Sequence, residues 1–180
     1  SWIAKAKWDQ LLQKPPEKGT VLLLGGGGGS GKTSSLGDIA PGFESNYDAI
    51  YDTTLANQKK AVDAVQQAID SGRTVVISYT ARAPIDSIIH GIIPRAAKKG
   101  RTVPLDIAAQ AHRDAPNVVK ALIERYADDD RVTFQFVDNT RGPGQARLVS
   151  PSELPAFDYN QLEGRAFDAA REAYEQGKIS

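Results

Sequence analysis

VLLLGGGGGSGKTSSL, residues 21–36, runs from four apolar residues through five consecutive glycines into Ser-Gly-Lys-Thr. Gly26 to Thr33 satisfy the pattern G-x-x-x-x-G-K-[ST]. Behind that pattern lies a simple need. Backbone N–H groups can close around an anion only where the chain adopts dihedrals that a Cβ obstructs, and a helix starting at the same point aims its positive end at the charge. Gly26, Gly27, Gly28, Gly29, Ser30 and Gly31 are therefore expected to enclose the phosphates. Lys32 is expected to meet the β- and γ-phosphates, Thr33 to give a hydroxyl oxygen to Mg²⁺, and Ser34 to stand beside them in the first helical turn. Thr33 and Asp52 (below) are the two expected metal ligands.

The pattern carries weight only between a strand and a helix, and both flanks comply. Thr20–Leu24 is a continuous apolar run, as in a strand buried on both faces of a parallel sheet. Lys32–Ala40 suits a helix. A flexible hinge that happens to precede Gly-Lys-Thr is the plainer alternative, but it leaves the strand, the lysine and the hydroxyl unexplained.

Outward from this stretch, strand and helix patterns alternate. Residues 2–13 place Trp2, Ile3, Trp8, Leu11 and Leu12 at near-helical spacing before Pro15 and Pro16. Residues 48–52 (DAIYD) predict a second strand. Residues 57–71 predict a helix with Ala61, Val62, Val65, Ala68 and Ile69 on one face and Gly72 as its stop. A β-branched run at 73–79 predicts a third strand, 85–99 and 105–127 predict helices, and 131–137 predicts a fourth strand. A short fifth strand at 146–149 and a closing helix at 162–176 complete the series. Such alternation predicts an α/β domain of three layers, a P-loop NTPase fold with a mostly parallel sheet of four to five strands flanked by helices. Residues 1–180 read as one kinase-like domain, with a packed N-terminal helix in 1–16 and a lid-like segment at 85–115.

Composition narrows the functional classes. With 22 basic and 22 acidic residues the net charge is zero, so no overall field attracts nucleic acid, and a kinase acting on nucleic-acid ends is disfavoured. No run approaches the length of a membrane span, no signal peptide is evident, and the cytoplasm is the default compartment. Zero cysteines exclude disulfides and thiolate metal sites. The absence of any methionine raises the expectation of a processed chain or a segment of a larger parent protein.

The reaction depends on residues outside the loop. A GTPase would carry D-x-x-G and N-K-x-D; neither is present, and Asp138-Asn139-Thr140-Arg141-Gly142 has the wrong order, which leaves ATP as the expected nucleotide. Asp52 ends the second strand, at the sheet edge where open α/β folds bind ligands. From there a carboxylate can take the proton of an attacking hydroxyl or hold Mg²⁺ through water. Its plainer role is a helix cap, for which Asp52, Thr53 and Thr54 all qualify; Asp48, at the strand's start, is the weaker candidate. The segment PRAAKKGR, residues 94–101, gathers Arg95, Lys98, Lys99 and Arg101. Arginines on a mobile segment neutralise charge in phosphoryl transfer and exclude water, although a solvated helix face has the same composition. Arg82 and His112 are further candidates for contacting or orienting substrate.

The glycine loop, the strand-ending Asp52, a third strand leading into Arg82-Ala83-Pro84, the segment Gly100-Arg101-Thr102-Val103-Pro104 and His112 together resemble the zeta-toxin type of P-loop kinase over roughly residues 20–140. The resemblance implies a small-molecule kinase. The best-known members phosphorylate a hydroxyl of a UDP-linked N-acetyl amino sugar through a loop lysine, an aspartate base and lid arginines, by position Lys32, Asp52, Arg95 and Arg101. It also implies ATP and Mg²⁺ as cofactors, a small-molecule phosphate acceptor, base contacts from Asn139, Thr140 and Arg141 after a late strand, and an antitoxin as protein partner. This chain departs from the pattern in its short connection to the second strand, its Lys-Thr ending, and residues 53–56 (TTLA), which lack the arginine that often follows the aspartate. Those departures bear on the sugar-nucleotide acceptor rather than on kinase chemistry. A nucleotide is the other acceptor candidate, and an ATP-binding regulatory module with little turnover is the competing functional class.

Overall fold

In the computed structural model, residues 2–26, 31–53, 55–99, 105–142, 144–154 and 162–177 are described. Helix α1 (Trp2–Leu12) precedes strand β1 (Thr20–Gly25), and α2 (Lys32–Ile39) follows the glycine loop. After a 3₁₀ turn at Phe43–Asn46 come β2 (Ala49–Asp52), α3 (Gln58–Asp70) and β3 (Thr74–Ala81). Helices α4 (Pro84–Ser87), α5 (Ile93–Lys99) and α6 (Leu105–Arg125) lead to β4 (Val132–Asp138), β5 (Arg147–Val149) and α7 (Leu162–Glu175).

The five strands form one sheet in the order β2-β1-β3-β4-β5, with β1 to β4 parallel and β5 antiparallel at the edge. The apolar run of β1 is explained by its place: Val21 to Leu24 are buried, because helices cover both faces. On one face Val21 and Leu23 pack with Trp8, with Ala64, Val65 and Ala68 of α3, and with Val119 and Leu122 of α6. On the other, Leu22 and Leu24 pack with Leu36 of α2, Phe43 and Val137. Full burial of each such Leu or Val stabilises by roughly 1.5–3 kcal/mol, so the sheet centre is the most strongly held part of the chain.

Sequence and structure part at three places. The helix expected at 85–99 is broken: a π-helical turn at Ile88–Ile92 separates α4 from α5. Pro94 accounts for it, since it lacks the amide that a continuous α-helix would direct at the carbonyl of His90. The cap of α3 is neither Asp52 nor Thr53, and Thr54 lies outside the described residues. The cap is Asn57, whose side chain accepts from the Lys60 amide at 3.0 Å. Finally, β3 and β4 extend past Tyr79 and Val137 to Ala81 and Asp138, which lengthens the ledge beside the glycine loop. Helix α7 joins a separate cluster, in which Ala166 and Ala173 pack with Ile88, Ile93, Leu105 and Ala109.

Candidate active site

The carboxyl ends of β1, β2, β3 and β4 share one edge, and in this strand order β2 and β3 leave β1 on opposite sides, which opens a crevice at its end. Lys32, the first residue of α2, folds back so that its Nζ lies 3.4 Å from the Gly26 carbonyl and 3.2 Å from Asp52 Oδ1. The Asp52 side chain is 56% exposed and the Lys32 side chain 14%, so the carboxylate faces solvent while the ammonium is tucked against the loop. Released from capping by Asn57, Asp52 has its carboxylate open to the cleft.

Two glycines frame the loop by close approach. A Cβ at Gly25 would lie 2.0 Å from the Leu55 side chain, which is buried and held over the strand end by a turn in which the Leu55 amide donates to Thr53 Oγ1. Leu55 itself has φ +55°, a left-handed conformation costing roughly 1–2 kcal/mol, sustained here by its burial. At the other end Gly31 has φ +76°, and a Cβ there would lie 2.8 Å from Asn139 Nδ2. Both close approaches leave room for backbone but not for side chains, and they fit the enclosure of a phosphate chain. Thr33 and Ser34 are exposed in the first turn of α2, and Thr33 with Asp52 offers the hard oxygen donors that Mg²⁺ accepts alongside water and phosphate.

Gly27, Gly28, Gly29, Ser30 and Arg101 lie outside the described residues. Arg95 is exposed on α5, and Arg141 is exposed in the turn after β4. Asn139 stands against Gly31, at the loop's base. His112 is buried within α6, one turn before Pro116.

Next to the Lys32–Asp52 pair opens a cleft of about 620 Å³. Its near wall is Asp52, Thr53, Asn57 and Lys60; its far wall is Ile107, Gln110, Ala111 and Asp114 of α6. These α6 residues recur at helical spacing on one face, a periodicity visible in the sequence. What the sequence lacked was any indication that this face, rather than the one buried on the sheet, overlooks Asp52. Lys60 was likewise missed, as an ordinary exposed residue of a helix's first turn.

A parallel sheet whose central strand ends in a glycine loop, with a lysine opening the next helix and a carboxylate ending the neighbouring strand, defines a P-loop nucleotide-binding domain of the kinase-like type. The chain belongs to the zeta toxin family: the family model matches residues 39–142, from the end of α2 through the turn after β4. The glycine loop precedes that matched span, so motif and family match are independent observations. Among solved structures, the chain is similar to the AvrRxo1-ORF1:AvrRxo1-ORF2 complex with sulphate ions, with TM-score 0.57 and 15% identity over 81% of this chain and 63% of that one. It is also similar to the native form of the same complex, with TM-score 0.52 and 13% identity over 82% of this chain and 66% of that one. At such identity the likeness is one of fold, and this chain spans just under two thirds of those chains. No curated protein matches it in sequence. Among the described residues, no helix is long and apolar enough to cross a membrane.

Proposed function

We propose that the protein is an ATP- and Mg²⁺-dependent kinase that transfers the γ-phosphate to a hydroxyl of a small molecule. The observation that carries this reading is the 3.2 Å pairing of Lys32 with a solvent-facing Asp52 at the mouth of a cleft large enough for a metabolite. A hydrolase would need only the loop and a water; a cleft lined by side chains beside the loop suits an acceptor.

In the proposed reaction the acceptor hydroxyl lies in the cleft with its oxygen toward the γ-phosphorus. Asp52 accepts the hydroxyl proton as the new P–O bond forms and the bond to the β-phosphate oxygen breaks, leaving ADP. Lys32 turns from Asp52 to the phosphates, which both neutralises them and frees the carboxylate to act as base. Mg²⁺, when bound, would draw charge from the β- and γ-phosphates; the residues that would hold it are Thr33 through its hydroxyl and Asp52 through a water, which leaves the carboxylate able to take the proton. Arg95 and Arg101 belong to the segment that closes over the transferring group and excludes water. Lys60, Gln110 and Asp114 orient the acceptor, with Ile107 covering its apolar face. The family and the two-chain assembly of the similar structures support a neutralising protein partner.

The test is incubation of labelled ATP and a metabolite extract with the protein, followed by mass identification of the labelled product. Transfer by the wild type and its loss in Asp52→Asn with nucleotide binding retained are expected. Undiminished transfer by Asp52→Asn would remove Asp52 as base. Tight ATP binding with no acceptor-dependent turnover would replace the kinase by a nucleotide-controlled binding module.

A further inference from the structure

The turn after β4 is built more elaborately than a strand end requires. Asp138, 4% exposed, accepts from the Thr140 amide at 2.9 Å and the Thr140 hydroxyl at 2.5 Å through Oδ1, closing a tight local turn. Its Oδ2 faces Arg147 Nη2 at 3.4 Å, and Arg147 is the residue directly opposite in the antiparallel β4–β5 pairing. Asn139, the next residue, donates its backbone N–H to the Ala81 carbonyl at 2.8 Å, so the turn is tied to β3 as well. Held this way, the Asn139 amide lies where a Cβ of Gly31 would come within 2.8 Å. Gly31 precedes Lys32, has φ +76°, and accepts the first helical hydrogen bond of α2 from the Ser35 amide at 2.8 Å. Whatever fixes Gly31 therefore fixes the point from which Lys32 departs.

Strand β5 contributes little else. It has three residues, and Leu148 at its centre is 53% exposed, so apolar burial is a weak reason for its pairing. Its inward residues are Val149, partly buried against the core, and Arg147, whose Nη2 reaches Asp138. Placed directly opposite Asp138 in the β4–β5 pairing, this guanidinium braces the buried carboxylate from the edge strand.

We infer that Asp138 is a positioning residue for the nucleotide loop, acting through Asn139 on Gly31 and braced by Arg147 of the edge strand. This rests on the reading of residues 26–33 as the triphosphate site. Burial pushes the Asp138 carboxyl up, but the Thr140 and Arg147 donors outweigh it and hold it below the usual range, so the group is ionised when the loop is in use.

The experiment titrates the fluorescent nucleotide mant-ATP, with Mg²⁺, into wild type, Asp138→Ala, Asn139→Ala and the double variant, with a melting curve for each. Each single change should weaken binding by about tenfold, and the double should add no more than about twofold, because both remove the same constraint. Asp138→Asn, which keeps an oxygen for Thr140, should recover most of the affinity. A lower melting temperature with unchanged affinity in Asp138→Ala, or additive losses in the double variant, would overturn the inference; Asn139→Ala, at a half-buried position, carries the test should Asp138→Ala not fold. A wild type that binds no mant-ATP would instead overturn the reading of the loop itself.

Discussion

Asp48 and Asp52 stand at opposite ends of β2 and have opposite surroundings. Asp48, just before the strand, accepts from the backbone amides of Glu17, Lys18 and Gly19 at 3.2, 2.6 and 3.1 Å and from Arg73 Nε at 2.9 Å. Arg73 in turn donates to the carbonyls of Leu12 and Lys14 and to Ser71 Oγ, so one buried pair joins the end of α1, the linker, β2 and the end of α3. Asp52, four residues on, pairs with Lys32 among the described residues and keeps its carboxylate 56% exposed. A carboxylate whose lone pairs are filled can only hold the fold; one that faces a cleft with capacity to spare can accept a proton. Chemically identical side chains at the two ends of one strand thus have opposite surroundings, one buried and filled with donors and one open to the cleft, and the proposed base is the open one.

Breaking the two pairs should give opposite results. Asp52→Asn should lower phosphate transfer by about 10²–10⁴-fold, the usual contribution of a positioned base. Its melting temperature should match the wild type, since exposed ion pairs contribute roughly 0–1 kcal/mol. Asp48→Ala leaves the buried Arg73 unpaired and should cost about 3–5 kcal/mol of stability in denaturant unfolding, without a direct effect on chemistry. A catalytic defect in Asp48→Ala at temperatures where it stays folded would dissolve the contrast.

Acid should act on the same end. Burial raises the Asp48 carboxyl, but the Lys18 amide, Arg73 and the amides of Gly19 and Glu17 outweigh it and hold its pKa below the ordinary value. A group depressed on folding contributes stability that is present above its unfolded pKa and lost as pH falls through the folded one. Stability measured from neutral into the acid range should therefore fall more steeply for wild type than for Asp48→Asn, which has no such carboxyl to protonate.

Smaller effects sharpen the picture at the reactive end. Gly25→Ala drives a methyl into the buried Leu55 and should cost roughly 1–3 kcal/mol, read by thermal melting, together with weaker nucleotide binding. Lys60→Ala should leave stability within about 0.5 kcal/mol, as for an exposed position. Once the acceptor is identified, the same variant should raise its KM several-fold while the KM for ATP stays constant; equal shifts in both would place Lys60 outside the acceptor wall.

Much of this architecture was legible along the chain. The loop, Lys32 and the strand before them are contiguous, so their chemistry is written in consecutive residues, and Asp52 could be singled out because a strand end is itself a local feature. The alternation of apolar runs with amphipathic helices likewise announced a layered parallel sheet. The break at Ile88–Ile92 was less accessible: Pro94 was visible, but a proline can end, kink or locally widen a helix, and the sequence does not say which.

What stayed hidden shares one cause. A helix's periodicity says which residues share a face and is silent on what that face meets, so Ile107, Gln110 and Asp114 became a cleft wall only when α6 was laid beside β2 and α3. Asn139 was expected at the base, and its position against Gly31 follows from β4 lying two strands from β1, a distance in sequence of more than a hundred residues closed only by the sheet. Local chemistry specifies the phosphate loop, the strands and the helices. The different surroundings of Asp48 and Asp52, and the cleft wall supplied by α6, arise from burial and pairing between segments far apart in the chain, because solvation and hydrogen-bond partners are properties of the folded assembly and not of the residue.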